Sequence, residues 1–214
     1  MNKRITNLLI LLCMSAPLFA QLPIAEPSDL MDCDLLFVTS PEPEGNAITD
    51  VTEGYDGLPI DHVAIFYNGE TGGRVVEAVP DGGVRMVSIE RFQEDNHQAR
   101  IYVARVNQTF DPSQTLRNAL SWVGRPYDHL FLADNEAIYC SELVQFSFVD
   151  EQGQQIFSPI AMSFHDGSGA ITRYWQEFYR EHGMEVPEGK PGTNPGEMSR
   201  RPNVSVLYRL GAPL

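Results

Sequence analysis

Cysteine is scarce, with three in 214 residues, too few for a disulfide scaffold. Positive charge is scarce as well. Fifteen Lys and Arg stand against 29 Asp and Glu, a net charge of −14, which excludes bulk attraction to nucleic acid or to an anionic membrane as the basis of function. No apolar run is long enough to span a bilayer, and the chain has neither an internal repeat nor a low-complexity tract. What is present is globular: 43% hydrophobic and 10% aromatic residues, in a length that suits one well-cored domain.

The chain opens on a leader. Met1-Asn2-Lys3-Arg4 is a basic head, Leu8 to Met14 an apolar run, and Ala16-Pro17-Leu18-Phe19-Ala20 offers a cleavage site before Gln21. This pattern reads as a secretory signal over 1–20, followed by a mature domain over 21–214. Cys13 follows Leu12, where a lipid-anchoring site wants a small residue, so ordinary cleavage is expected and a lipid anchor at Cys13 is not. The expected location is exported, periplasmic or secreted, with no transmembrane segment after signal removal.

Along the mature chain the hydrophobic period changes once. Asp34–Val38, His62–Tyr67, Arg74–Val79, Val84–Val87 and Arg100–Val106 read as strands. His62–Tyr67, apolar on both alternating faces, reads as a central strand covered on both sides. Asn68-Gly69 and Asp81-Gly82-Gly83 are turn signals, and Pro41–Gly57 reads as a loop. Helical spacing then begins at Asp111-Pro112, with Leu116, Leu120 and Val123 as the apolar side and Gly124-Arg125-Pro126 as the stop. Ser141–Phe148 and Ser168–His182 are two further helices. Glu188–Pro202 reads as irregular chain and a lid candidate, and Val204–Leu210 as a last strand. Strands first and helices afterwards predict an α+β arrangement.

Cys140 is the residue with most chemical promise. It stands at the start of the helix in Tyr139-Cys140-Ser141-Glu142-Leu143-Val144, where unpaired N–H groups and the positive end of the helix dipole favour a thiolate. Those N–H groups also suit an oxyanion. The bland reading is a small buried hydrophobe. His62 opens a central strand where a polar residue needs a reason, and Glu77 is the only charge inside Val75-Val76-Glu77-Ala78-Val79. A hairpin between the two strands lets Glu77 reach the His62 ring. Asp61 is a poorer partner, since neighbours on a strand point to opposite faces. Nucleophile, base and orienting group are thus all available. Tyr127 either donates into the oxyanion site or closes a turn; Asp128 braces its loop or meets a polar part of the substrate. A zinc site is the weaker reading, because His97, His129, His165 and His182 are scattered and Cys140 lacks a second cysteine at ligand spacing.

Taken together, Asp34-Leu35-Leu36-Phe37, Asp61-His62-Val63-Ala64-Ile65, Val76-Glu77-Ala78, Gly124-Arg125-Pro126-Tyr127-Asp128 and Tyr139-Cys140-Ser141-Glu142-Leu143-Val144 resemble the YiiX/YaeF group of permuted papain-like cysteine hydrolases in the NlpC superfamily. The Pro/Gly segment from Val186 to Pro195 is similar as well. The histidine strand precedes the cysteine helix, which is the permuted order. The resemblance implies a circularly permuted papain-like (NlpC-like) fold, a small, mostly antiparallel sheet packed on the helix that carries Cys140. It implies Cys140 as nucleophile, His62 as base and Glu77 as orienting residue, with no metal or organic cofactor. Two departures stand out: Cys33 where glycine is usual, and Asp61 where serine is common. A Cys33–Cys140 disulfide would silence such an enzyme but is not expected, since the active-site cleft should separate the two.

The expected activity is hydrolysis of an amide bond through an acyl-thioester, with a short peptide or cell-wall fragment as substrate. Arg125 and Asp128 tilt the expectation toward a polar substrate. Two alternatives stand beside it. One is a lipid-directed thiol acyltransferase or esterase, favoured by an apolar groove beside Cys140. The other is a non-catalytic envelope binding module on the same fold.

Overall fold

The structure is a computed structural model that describes residues 22–41, 46–133 and 136–211; the signal segment read over 1–20 lies outside them. Strand β1 (Ile24–Ala25) is followed by β2 (Leu35–Thr39), β3 (Ile60–Gly69), β4 (Gly72–Val79) and β5 (Gly83–Ser88). Helix α1 (Ile89–Asp95) leads into β6 (Ile101–Val106), and α2 (Pro112–Ser121) into α3 (Cys140–Ser147). The remaining elements are β7 (Ile160–Ala161), α4 (Arg173–Glu181), β8 (Pro191–Gly192), α5 (Pro195–Ser199) and β9 (Val204–Leu210). Seven strands form one sheet in the order β1-β9-β6-β2-β3-β4-β5. Every pairing in it is antiparallel except that of β1 with β9. The expected α+β class with a mostly antiparallel sheet is what forms.

Both faces of the sheet are covered, as the two-sided apolar pattern of β3 predicts. Leu35, Phe37, Val63, Ile65, Val76 and Ala78 pack with Leu143, Val144 and Phe148 of α3. The alternate residues Leu36, Val38, Ala64, Phe66 and Val75 pack with Ile89 and Phe92 of α1. Helix α3 is buried along almost its whole length, so it is a core helix that carries its polar residues inward. Burying a side chain the size of Phe92 stabilises the fold by about 2–3 kcal/mol, so α1 is a structural lid on the second face.

Several local expectations need correcting. The first hairpin turns at Glu70-Thr71, between the closing pair Gly69–Gly72, two residues later than Asn68-Gly69. Asn68 instead stays in β3, where its backbone N–H donates to Asp32. On α2, Leu116 packs against the core as expected, but Leu120, and Val123 just past the helix end, are 39% and 43% exposed; the buried residues are Thr115 and Ala119, whose small side chains let α2 lie close against α3. Helix α4 starts at Thr172, whose hydroxyl caps Trp175 N–H, because Gly169 at φ +81 turns the chain before it. Helix α1 lies in a stretch to which the sequence reading assigned no element, and α5 in one read as irregular. Segment 188–202 is a packed wall: Pro191-Gly192 pairs with Ile160-Ala161, and Thr193 and Pro195 are buried.

Cys33 and Cys140 are both buried and free. Cys33 adopts φ +66, the left-handed region that glycine enters at least cost, which explains why glycine suits that position. Burial, with Asp32 and Asp34 beside it, pushes the Cys33 thiol up to about 12.

Candidate active site

The pairs Ile65–Val76 and Phe66–Val75, continued one step, set Glu77 opposite Ala64 and diagonal to His62. Diagonal neighbours on one sheet face are within reach of long side chains. Glu77 Oε2 accepts from His62 Nε2 at 2.8 Å, and Glu77 is almost fully buried. The pairing of β3 with β2 shifts at this point, for Val38 pairs with His62 but Thr39 with Ile60. Asp61 is therefore the extra residue of a bulge, a feature that re-aims the side chains beside it. Asn46 Nδ2 donates to the Asp61 carboxylate, which leaves Glu77 as the carboxylate on the ring.

The Cys140 thiol lies beside the His62 ring, close enough to act on its charge. With Nε2 taken by Glu77, Nδ1 is the ring nitrogen left for that thiol. Burial alone would lower the His62 pKa; Cys140 and the hydrogen bond to Glu77, with the charges behind them, push it up to about 10. Burial works against ionisation of Glu77 too, yet His62 and Arg85 hold its carboxyl below the usual range. The site thus favours an imidazolium between two groups that stabilise it.

Cys140 is the first residue of α3. Its N-cap, Tyr139, is extended and contributes no side-chain cap, so the positive end of the helix dipole faces the thiol. Glu142 stands in the first turn of α3, and its Oε2 is buried without a hydrogen-bond partner. Burial, with Asp128 nearby, pushes Glu142 up to about 8.

Tyr127 and Asp128 sit on the segment that leads to the cysteine. Ile138 N–H donates to Pro126 O at 2.9 Å and Asp128 N–H to Ile138 O at 3.3 Å. The β4–β5 hairpin docks on the same segment, with Val84 N–H donating to Arg125 O at 2.8 Å. Gly83, at φ +68, makes this possible, because a Cβ there would lie 2.1 Å from Arg125 O. Tyr127 then lines a pocket with Cys140. Burial, followed by the charges of Cys140 and Asp128, raises its phenol pKa, so it stands as a donor. Asp128 is a brace: its carboxylate accepts from Leu130 N–H at 2.8 Å and Leu132 N–H at 2.6 Å.

The pocket beside Cys140 is small, a cavity of about 30 Å³. Ile48, Val51, Phe131, Met162, Phe164 and Trp175 make it apolar, and no Asp, Glu, Lys or Arg lines it among the described residues. Ser141 Oγ and Thr193 Oγ1, both of pocket-lining residues, are buried without a hydrogen-bond partner. Arg125 lies over the Trp122 ring at 5.7 Å and Asp128 is committed to its loop, so neither meets a ligand there. Sequence reasoning missed Thr193, the apolar wall and Arg85. Arg85 faces Glu77 across β4–β5, and counting back through the Asp81-Gly82 turn would have found it.

A solved structure with the same fold is that of the metalloprotein YiiX from Escherichia coli O157:H7. It is 16% identical, the match covers 84% of this chain and 97% of that one, and the TM-score is 0.66. No curated protein matches the chain. A family model described as a permuted papain-like amidase matches residues 29–208, with Cys140, His62 and Glu77 all inside that span. The chain therefore belongs to the YaeF/YiiX, C92 family of permuted papain-like amidases, and it is a cysteine hydrolase of that class.

Proposed function

We propose that this chain is an exported thiol amidase working through Cys140, His62 and Glu77. The carrying observation is the 2.8 Å hydrogen bond from the His62 ring to the buried Glu77 carboxylate, with the Cys140 thiol at the start of α3 acting on the same ring. The Cys140 proton passes to His62, and the thiolate attacks the amide carbonyl. The oxyanion is met by the Cys140 backbone N–H and the Tyr127 hydroxyl. His62 returns the proton to the departing amine, and water then hydrolyses the acyl-thioester. YiiX is described as a metalloprotein; in this chain no group of three or more His, Cys, Asp or Glu side chains among the described residues is placed to hold a metal ion. Every step above runs through the chain's own side chains.

The alkylation rate of Cys140 against pH, with Cys13 and Cys33 replaced by serine, tests this reading. Fast alkylation of Cys140 at neutral pH is expected. It should fall about tenfold or more in His62→Ala. A Cys140 alkylation rate indifferent to His62 would remove the nucleophile. For export, the mature N-terminus is expected at Gln21, read by mass spectrometry of the secreted product.

For the substrate, a short or cell-wall peptide with an apolar residue on the acyl side is the first reading. The apolar lining favours a second, a lipid-directed acyltransferase or esterase. Trp175 in the wall separates them. Long-chain acyl amides that change its fluorescence and turn over faster than peptides would select the second reading.

A further inference from the structure

We propose that Arg85 is a positioning residue of this site: its guanidinium keeps Glu77 compensated as a carboxylate whether or not His62 carries a proton, which leaves His62 able to give that proton up. The inference rests on the Cys140–His62–Glu77 reading. Arg85 stands directly opposite Glu77 in the β4–β5 ladder. Its Nε donates to Glu77 Oε1 at 2.9 Å and its Nη2 lies 2.7 Å from the same oxygen. The other oxygen, Oε2, accepts from His62 at 2.8 Å. Each oxygen of a carboxylate only 1% exposed therefore has its own donor. Beyond it, Arg85 Nη2 donates to Asp95 Oδ2 at 2.8 Å, and Arg91 Nη2 lies 2.7 Å from Asp95 Oδ1. Charge alternates in sign from Arg91 on the surface of α1 through Asp95, Arg85 and Glu77 to the His62 imidazolium.

The charged and titratable groups facing the His62–Glu77 pair are Cys140 from α3, Arg85 from β5 and Asp61 from β3 itself, with Asp95 of α1 one step behind Arg85. Without Arg85, the imidazolium–carboxylate pair is still neutral, but losing its proton leaves a bare buried carboxylate. That state is costly, so the proton is held more tightly and the imidazolium becomes a poorer acid. In the reaction the imidazolium N–H bond breaks as an N–H bond forms on the leaving amine; the C–N bond breaks and its electron pair stays on nitrogen. Arg85 is the cation that remains beside Glu77 afterwards.

The test is an NMR titration of ring-labelled histidine in the full chain carrying Cys140→Ser, so that the thiolate is absent and the signal reads the His62–Glu77 pair. His62→Gln assigns the resonance. Arg85→Met is expected to raise the His62 midpoint by about one pH unit or more, and Arg85→Lys to keep it near the parent value. Asp95→Asn, which leaves Arg85 to Glu77 alone, is expected to lower it. An unmoved midpoint in Arg85→Met, or in Asp95→Asn should Arg85→Met not fold, overturns the proposal; a purely structural role would lower melting temperatures without moving the midpoint. Failure of the triad reading shows separately, as Cys140 alkylation indifferent to His62.

Discussion

At the scale of single residues, chemistry is set by what surrounds each titratable group. Cys140, His62 and Glu77 were legible in the sequence because each breaks a local pattern: a thiol at a helix start, and two polar groups inside apolar strands. Arg85 was not, because an arginine on an edge strand breaks no pattern until the ladder places it opposite a buried carboxylate. Glu142 stands in the first turn of α3, yet it is 2% exposed and near Asp128. An acid whose folded pKa lies above its unfolded value destabilises the fold once the unfolded chain ionises. Glu142 therefore costs stability as pH rises from 4.5 to about 8. Glu142→Gln should stabilise the protein by about 2 kcal/mol at pH 8 and by little at pH 4, as read by urea unfolding at both values.

At the scale of elements, periodicity located β2 to β6, α3 and β9 well, because each carries enough apolar residues to reveal its period. Helices α1 and α5 are too short for that. Their signals were in the caps: Ser88 accepts from Arg91 N–H, and Asn194, followed by Pro195 at the first helical position, accepts from Glu197 N–H. The face of α2 was only partly read, since Leu116 packs on the core but the close contact with α3 is filled by Thr115 and Ala119 while Leu120 is exposed. Close approach also decides the hairpin docking at Gly83. Gly83→Ala would put a Cβ against Arg125 O in a left-handed conformation, so it should cost about 3 kcal/mol and reduce hydrolysis by shifting Tyr127. Gly167→Ala, which meets open space, is the control expected to leave the urea midpoint unchanged.

At the scale of the whole molecule, the site's charges write a pH dependence onto stability. Glu77, with a folded pKa below its ordinary 4.5, contributes stability that is present above 4.5 and lost as pH falls below it. His62, raised from 6.5 to about 10, contributes stability that is complete below 6.5 and lost as pH rises toward 10. Glu142 adds its penalty in the same alkaline direction. Stability should therefore be greatest between about pH 4.5 and 6.5 and decline through pH 9, measured as urea midpoints across that range. A midpoint that keeps rising above pH 7 would contradict the charge states assigned to the site.

The sequence by itself determined the α+β class and the two-sided burial of β3, and it singled out Cys140, His62 and Glu77 as the candidates of the thiol site. Period, turn chemistry and polarity are local properties that the chain cannot hide. Tertiary structure alone decided how the ring is aimed at Glu77, through a bulge at Asp61 and the β3–β4 register. It also supplied the apolar pocket, gathered from segments around Ile48, Phe131, Met162, Trp175 and Thr193, and the pairing of Arg85 with Glu77. Those features depend on contacts between distant segments, and no local period encodes them.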